Sequence, residues 1–202
     1  ALSRKGYDRP LNRHAHDFFN SLRYTPSYNQ QYYKPVAMLY NLRYVLGDEL
    51  FWKAMKGYIQ QWTMAHPYPE DFRQSFISQT HQDLNGFFDD WLDTNKHIDY
   101  KVSQVKKSSY GKTVKIKFRR KGELSMPLDF TVYTHGGEKL AFRIPNAPGQ
   151  TSPAGVQTLA QWTGWGKVRE TYSTIIDLPA KVERVVIDPD HVLADVNLLN
   201  NQ

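Results

Sequence analysis

The sequence contains no cysteine. That excludes disulfide staples and thiol catalysis, and it fits either redox compartment. No run of 18 apolar residues is present, so no segment is expected to span a membrane as a helix. There is no basic-then-apolar leader, no internal repeat and no low-complexity tract. A Gly-x-Ser-x-Gly setting for a nucleophilic serine is missing. Gly164-Trp165-Gly166 reads as a tight turn rather than a phosphate loop, because no helix pattern follows it. Acidic residues are absent from Lys101 to Lys121, where nine basic residues gather.

What is present is the composition of a globular protein, with 23% charged and 40% hydrophobic residues in 202. That length holds one large domain or two small ones, each with its own core. Aromatics are frequent at 14%, with 13 Tyr and 5 Trp. The net charge of +6 is uneven: residues 1–97 hold 11 basic and 10 acidic residues, and residues 98–202 hold 15 and 10. The basic stretch is conceivable as a nucleic-acid surface. The preferred reading is a solvated strand face whose lysines guard an edge, with no nucleic-acid partner.

The first half carries helical periodicity. Pro10 opens an expected helix to about Arg23, with Leu11, Ala15, Phe18, Phe19 and Leu22 inside. Thr25-Pro26-Ser27 reads as a connector. In the stretch from Gln31 to Phe51, Val36, Leu39, Tyr40 and Arg43 fall at helical spacing, and Leu42, Val45 and Leu46 widen the apolar surface. A helix covered on most faces is expected there. Pro35 should sit in its first turn, leaving Tyr32, Tyr33 and Lys34 on the lead-in. Gly47 suits a left-handed C-cap, and Asp48 an N-cap for a helix to about Thr63. That helix should turn Leu50, Phe51, Ala54, Met55, Tyr58, Ile59 and Trp62 inward. Glu70 and Asp71 begin a further helix with Phe72, Phe76 and Ile77 inside, and Asp83 caps a last one holding Leu84, Phe87, Phe88, Trp91 and Leu92.

At Ile98 the period changes to two. Strands are expected around Tyr100–Val105 and Val114–Phe118, then at Leu128–Thr134, Glu138–Ile144, Val156–Thr163, Lys167–Ile176 and Val182–Ile187. Ser109–Lys112 and Gly136-Gly137 read as turns. Seven short strands at such spacing read as a β-sandwich. The expected fold class is thus α+β in two domains, helical over 1–97 and a β-sandwich over 98–202.

Tyr32-x-Lys34, followed by an apolar helix ending in Leu46-Gly47, resembles the aminopeptidase N family of zinc metallopeptidases. The likeness continues through Phe51, Trp52, Tyr58, Asp71-Phe72, Leu84, Phe87-Phe88 and Trp91. One departure stands inside the motif, where Pro35 replaces the family's usual glycine. The resemblance implies that residues 1–97 form the C-terminal part of a metallopeptidase catalytic domain. It further implies that the β-sandwich behind it is immunoglobulin-like, ending near Ile187-Asp188-Pro189 and Leu193–Asn197.

Family chemistry needs zinc on a His-Glu-x-x-His helix, and none of the seven histidines forms that motif. His14 and His16 are spaced by two and would diverge on a helix. The resemblance therefore implies a C-terminal piece of an aminopeptidase: zinc serves the complete enzyme, this chain alone holds none, and no residue here is a metal ligand. Its partners would be peptide substrates and the missing N-terminal part. An exported or periplasmic bacterial setting is favoured over a cytoplasmic one. Tyr32 is the implied catalytic residue, its phenol donating to the oxyanion of the tetrahedral intermediate. Tyr28, four residues earlier, is the implied substrate-binding residue. An apolar surface should lie exposed on the helical half where the missing helices pack. The rival expectation is a non-catalytic binding or scaffold module.

Overall fold

The computed structural model describes residues 8–13, 25–109, 111–147, 150, 152–162 and 169–202, the side chains of 25–30 excepted. Among these the chain is mixed α+β, with four α-helices and two sheets. It divides into two compact units, Ala1–Lys96 and His97–Gln202.

The longest helix, α1, spans Thr25–Leu46. Pro26 falls in its first turn, where a missing N–H costs nothing. Pro35 lies in its interior, so the Gln31 carbonyl loses its ordinary partner. The expected connector at Thr25–Ser27 and the expected helix start at Pro35 are both corrected: all these residues are helical. What carries the helix past its proline is the side it buries. Met38, Asn41, Leu42, Val45 and Leu46 are buried at spacings of three and four, which fixes one inward stripe. Val36 and Tyr40 are exposed, so α1 is covered on one side and not on most faces.

Gly47 has φ +77° and ψ 162°, an extended-side conformation open to glycine, not the left-handed helical C-cap expected of it. It serves as N-cap of α2 (Asp48–Trp62), and Asp48 is that helix's first residue. Phe51 and Ala54 are buried on α2, whereas Ile59, expected inside, is exposed. α3 (Pro69–Thr80) begins with the Tyr68 N–H donating to Asp71 Oδ2 at 2.7 Å. α4 (Asn85–Asp93) follows Asp83, whose Oδ1 accepts the Asn85 N–H at 3.1 Å. Phe72 links the three later helices, 4.9 Å from Tyr58, 4.5 Å from Phe76 and 5.9 Å edge-on from Phe88. Such pairs add about 0.5–1.5 kcal/mol each beyond the area they bury. Residues 10–13 are not helical, and the rest of the helix expected to Arg23 lies outside the described residues.

Among the described residues the second unit holds seven strands: β1 (Tyr100–Lys107), β2 (Thr113–Arg120), β3 (Leu128–Thr134), β4 (Lys139–Ile144), β5 (Val156–Thr158), β6 (Thr171–Asp177) and β7 (Val182–Ile187). One sheet runs β1-β2-β6, antiparallel throughout; the other runs β5-β4-β3-β7, with β5 parallel to β4. Alternation along β2 decides its faces: Val114, Ile116 and Phe118 are buried, while Lys115 and Arg119 are exposed. The Phe118 ring lies 4.7 Å from that of Phe130 on β3, bringing the buried faces of the two sheets together. β5 is shorter than expected, since 159–162 are not in a strand, although the Leu159 N–H still donates to the Arg143 carbonyl at 2.8 Å; residue 163 lies outside the described residues. β6 begins at Thr171, with 169 and 170 outside the strand; 167 and 168, also expected in it, lie outside the described residues. Gly122 is required by close approach: a Cβ there would collide with the His97 carbonyl oxygen and lie 2.7 Å from the Asp99 nitrogen.

The C-terminal stretch is tied down by two carboxylates. Asp188 accepts the N–H groups of Val192 and Leu193 at 2.9 and 2.8 Å, and Asp195 accepts that of Tyr100 at 3.0 Å. Burial pushes both carboxyls above the ordinary aspartate range, against these hydrogen bonds.

Two outcomes follow. Pro35→Ala restores an N–H to the Gln31 carbonyl, and should raise stability in denaturant titration by about 2 kcal/mol once the looser unfolded chain is allowed for. For Asp188 the folded pKa exceeds the unfolded one of about 3.9, so between those values the folded state holds more protons and stability falls as pH rises. Unfolding free energies measured across that window should drop for the native chain relative to Asp188→Asn.

Candidate functional site

The inward stripe of α1 leaves a second stripe outside. Residues 32, 36, 39, 40 and 43 recur at the helical period, so Tyr32 begins the row that continues through Val36, Leu39, Tyr40 and Arg43. Tyr32 is 57% exposed and Tyr33, 100° further round, is 63% exposed. Tyr28 belongs to α1 four residues before Tyr32; its side chain lies outside the described residues. The structure thus places the two sequence-expected site residues on one helix at one-turn spacing.

The outer stripe runs into a groove of about 300 Å³ between α1 and α2. Val36, Leu39, Tyr40 and Arg43 form one wall; Phe51, Trp52 and Met55 form the other. The groove is apolar, and it comes from an uncovered face of α1 and not from a helix apolar all round. Its one charged side chain is already engaged. Arg43 Nε and Nη2 donate to Asp48 Oδ1 and Oδ2 at 2.8 and 2.6 Å, and the guanidinium lies 5.6 Å from the centre of the Trp52 ring. The Arg43 hydrogen bond holds Asp48 below the ordinary aspartate range, and the same bond raises Arg43. Among the described residues no carboxylate or imidazole lines the groove, which offers mainly apolar contact and ring faces. Among the described residues no group of three His, Asp or Glu side chains is placed to hold a metal ion. His14 and His16 lie outside them.

Sequence reasoning missed Lys34. Its ammonium turns inward, with 11% of the side chain exposed, and donates to Asp8 Oδ1 at 2.9 Å, to the Arg9 carbonyl at 2.5 Å and to the Thr94 carbonyl at 3.4 Å. It joins α1 to the segment at 8–9 and to the end of α4. Burial holds the amine below the ordinary lysine range, while the Asp8 hydrogen bond and charge oppose that shift. The signal was available: Lys34, Met38 and Leu42 are four apart, so a helix continuing through Pro35 puts all three on one side.

No family model and no curated protein matches the chain. Among solved structures it is similar to Legionella pneumophila aminopeptidase A in complex with aspartic acid, with a TM-score of 0.57 at 10% identity. The likeness covers 83% of this chain and 17% of that one, so this chain spans under a fifth of that protein's length. At that identity the likeness is one of fold.

Lys34→Met keeps the aliphatic stem and strips the Asp8 carboxylate and two carbonyls of their shared donor. Denaturant unfolding should show a loss of about 3 kcal/mol. Adding Asp8→Asn should return part of it, as a double-mutant cycle would register.

Proposed function

We propose that this chain is the C-terminal part of the catalytic domain of a zinc-dependent metallo-aminopeptidase of the aminopeptidase N family, followed by an immunoglobulin-like β-sandwich domain. The observation that carries the reading is the fold likeness to an aminopeptidase over 83% of the chain. The Tyr32-x-Lys34 motif and the position of Tyr32 at the head of the exposed stripe support it. The enzyme would remove N-terminal residues from peptides. Zinc would serve the complete protein; the described residues of this chain offer no set of ligands that fits it, and no step through the metal is assigned to them.

Within that enzyme Tyr32 acts as a donor. As the scissile carbonyl becomes tetrahedral its oxygen gains negative charge, and a phenol O–H held on a rigid helix stabilises that charge without reorganising. Lys34 is the positioning residue: by turning inward it keeps Tyr32, two residues earlier and about 160° round the helix, turned outward. Tyr28 would lie one turn nearer the helix start on the same row, as a substrate contact.

The rival reading, a helical and β-sheet module that binds without catalysing, is favoured by a groove that no carboxylate or imidazole of the described residues lines.

Tyr32→Phe in the protein with its full natural sequence separates the two. The substitution deletes one oxygen and keeps the ring. Turnover of an aminoacyl substrate should fall by about 10²–10³ with KM little changed. Tyr33→Phe should be near neutral, and zinc content should be equal in both. Full turnover in Tyr32→Phe would remove the catalytic assignment; loss confined to Tyr33→Phe would move it by one residue.

A further inference from the structure

The three-stranded sheet has one face turned to solvent, and its cations are arranged as a flat array. Register places Lys101 opposite Arg119 and Lys106 opposite Lys115 on β1 and β2. Lys117 lies between Gln104 and Ser173, and Lys115 also faces Ile175 on β6. These five cations therefore share one side of the sheet, the side opposite the buried Val114, Ile116 and Phe118. Arg119 is paired with Glu170 at 3.2 Å, and Asp177 at the far end accepts from the Thr113 hydroxyl at 2.9 Å. No carboxylate among the described residues forms an ion pair with Lys101, Lys106, Lys115 or Lys117.

Guarding an edge explains lysines on β1 but not those on β2, which is central in the sheet. Like charges directly opposite across an antiparallel pair weaken the pairing, and this face has two such pairs. The isolated fold gains nothing from that arrangement, whereas an anionic surface laid against it would.

We propose that the outer face of the β1-β2-β6 sheet docks on the anionic headgroups of a lipid bilayer. Three features favour a bilayer over nucleic acid. The cations spread over two strands in a plane, rather than along a groove. All but one are lysines, compact point charges without the planar fork that reads bases or grips phosphates bidentately. The residues of this face that the strand register defines include no aromatic ring on which a base could stack, and instead include Ile175, which is 66% exposed beside Lys115. An apolar side chain within a lysine array suits an interface that is anionic outside and apolar below.

Co-sedimentation of the 202-residue chain with phosphatidylcholine vesicles, with and without about a third of phosphatidylglycerol, tests this at low and high salt. Binding is expected with the anionic vesicles, absent with phosphatidylcholine alone, and abolished by high salt. Lys115→Glu with Lys117→Glu should lower the partition coefficient by at least about tenfold. Folding is not at risk in that variant, because a glutamate at 115 faces Lys106; its thermal midpoint should match or exceed that of the native chain. Lys53→Glu with Lys56→Glu, an equal charge change on the exposed side of α2, should leave vesicle binding within about twofold. Equal loss in both double variants would reduce the effect to net charge and overturn the proposal. So would binding to neutral vesicles, or retention of duplex DNA with no affinity for either vesicle.

Discussion

The inward turn of Lys34 sets what the rest of the helical unit presents. An ammonium so nearly excluded from water is tolerable only where acceptors replace its hydration, and here one carboxylate and two carbonyls do so. Once that side chain points in, the 100° step of the helix leaves no freedom for the others. Met38, Leu42 and Val45 follow it into the core, and Tyr32, Val36 and Tyr40 are sent out. The apolar groove against α2 exists because of this choice, since its α1 wall is the outer stripe. The same contacts offset the hydrogen bond that Pro35 removes one residue later.

How much of this was legible in the sequence depends on which signal spoke. The alternation Val114-Lys115-Ile116-Lys117-Phe118 has only one solution when one face is buried, and β2 forms there. Helices α2, α3 and α4 were legible for the same reason at period 3.6. Their starts were less so. Asp48 looks like a cap, but a neighbouring arginine at position 43 engages its carboxylate, and Gly47 takes the capping position by backbone conformation alone. α1 was misplaced because local rules about proline were given more weight than tertiary burial. Thr25–Ser27 reads as a connector and Pro35 as a boundary, whereas packing on one side is enough to run the helix through both.

The candidate site divides the same way. That Tyr32 belongs to an exposed row at the head of an apolar groove follows from helix period once α1 is continuous. That Lys34 fixes the row does not follow from residue type, because a lysine defaults to the surface and its acceptors lie 25 and more residues away in sequence. The spacing with Met38 and Leu42 puts Lys34 on the inward side, but it does not name the acceptors that hold it there.

The apolar groove of the helical unit and the lysine array of the strand unit have different physical consequences. In the helical unit, exposed Tyr32, Val36, Tyr40 and Trp52 carry area whose burial would be favourable at about 25 cal/mol per Å², with Arg43 neutralised by Asp48 so that no bare charge opposes an apolar occupant. In the strand unit the outward lysines stand opposite one another, so bringing anything neutral onto that face would desolvate charge without return. One surface selects for apolar contact and the other for negative charge. A partner satisfying one would gain little at the other.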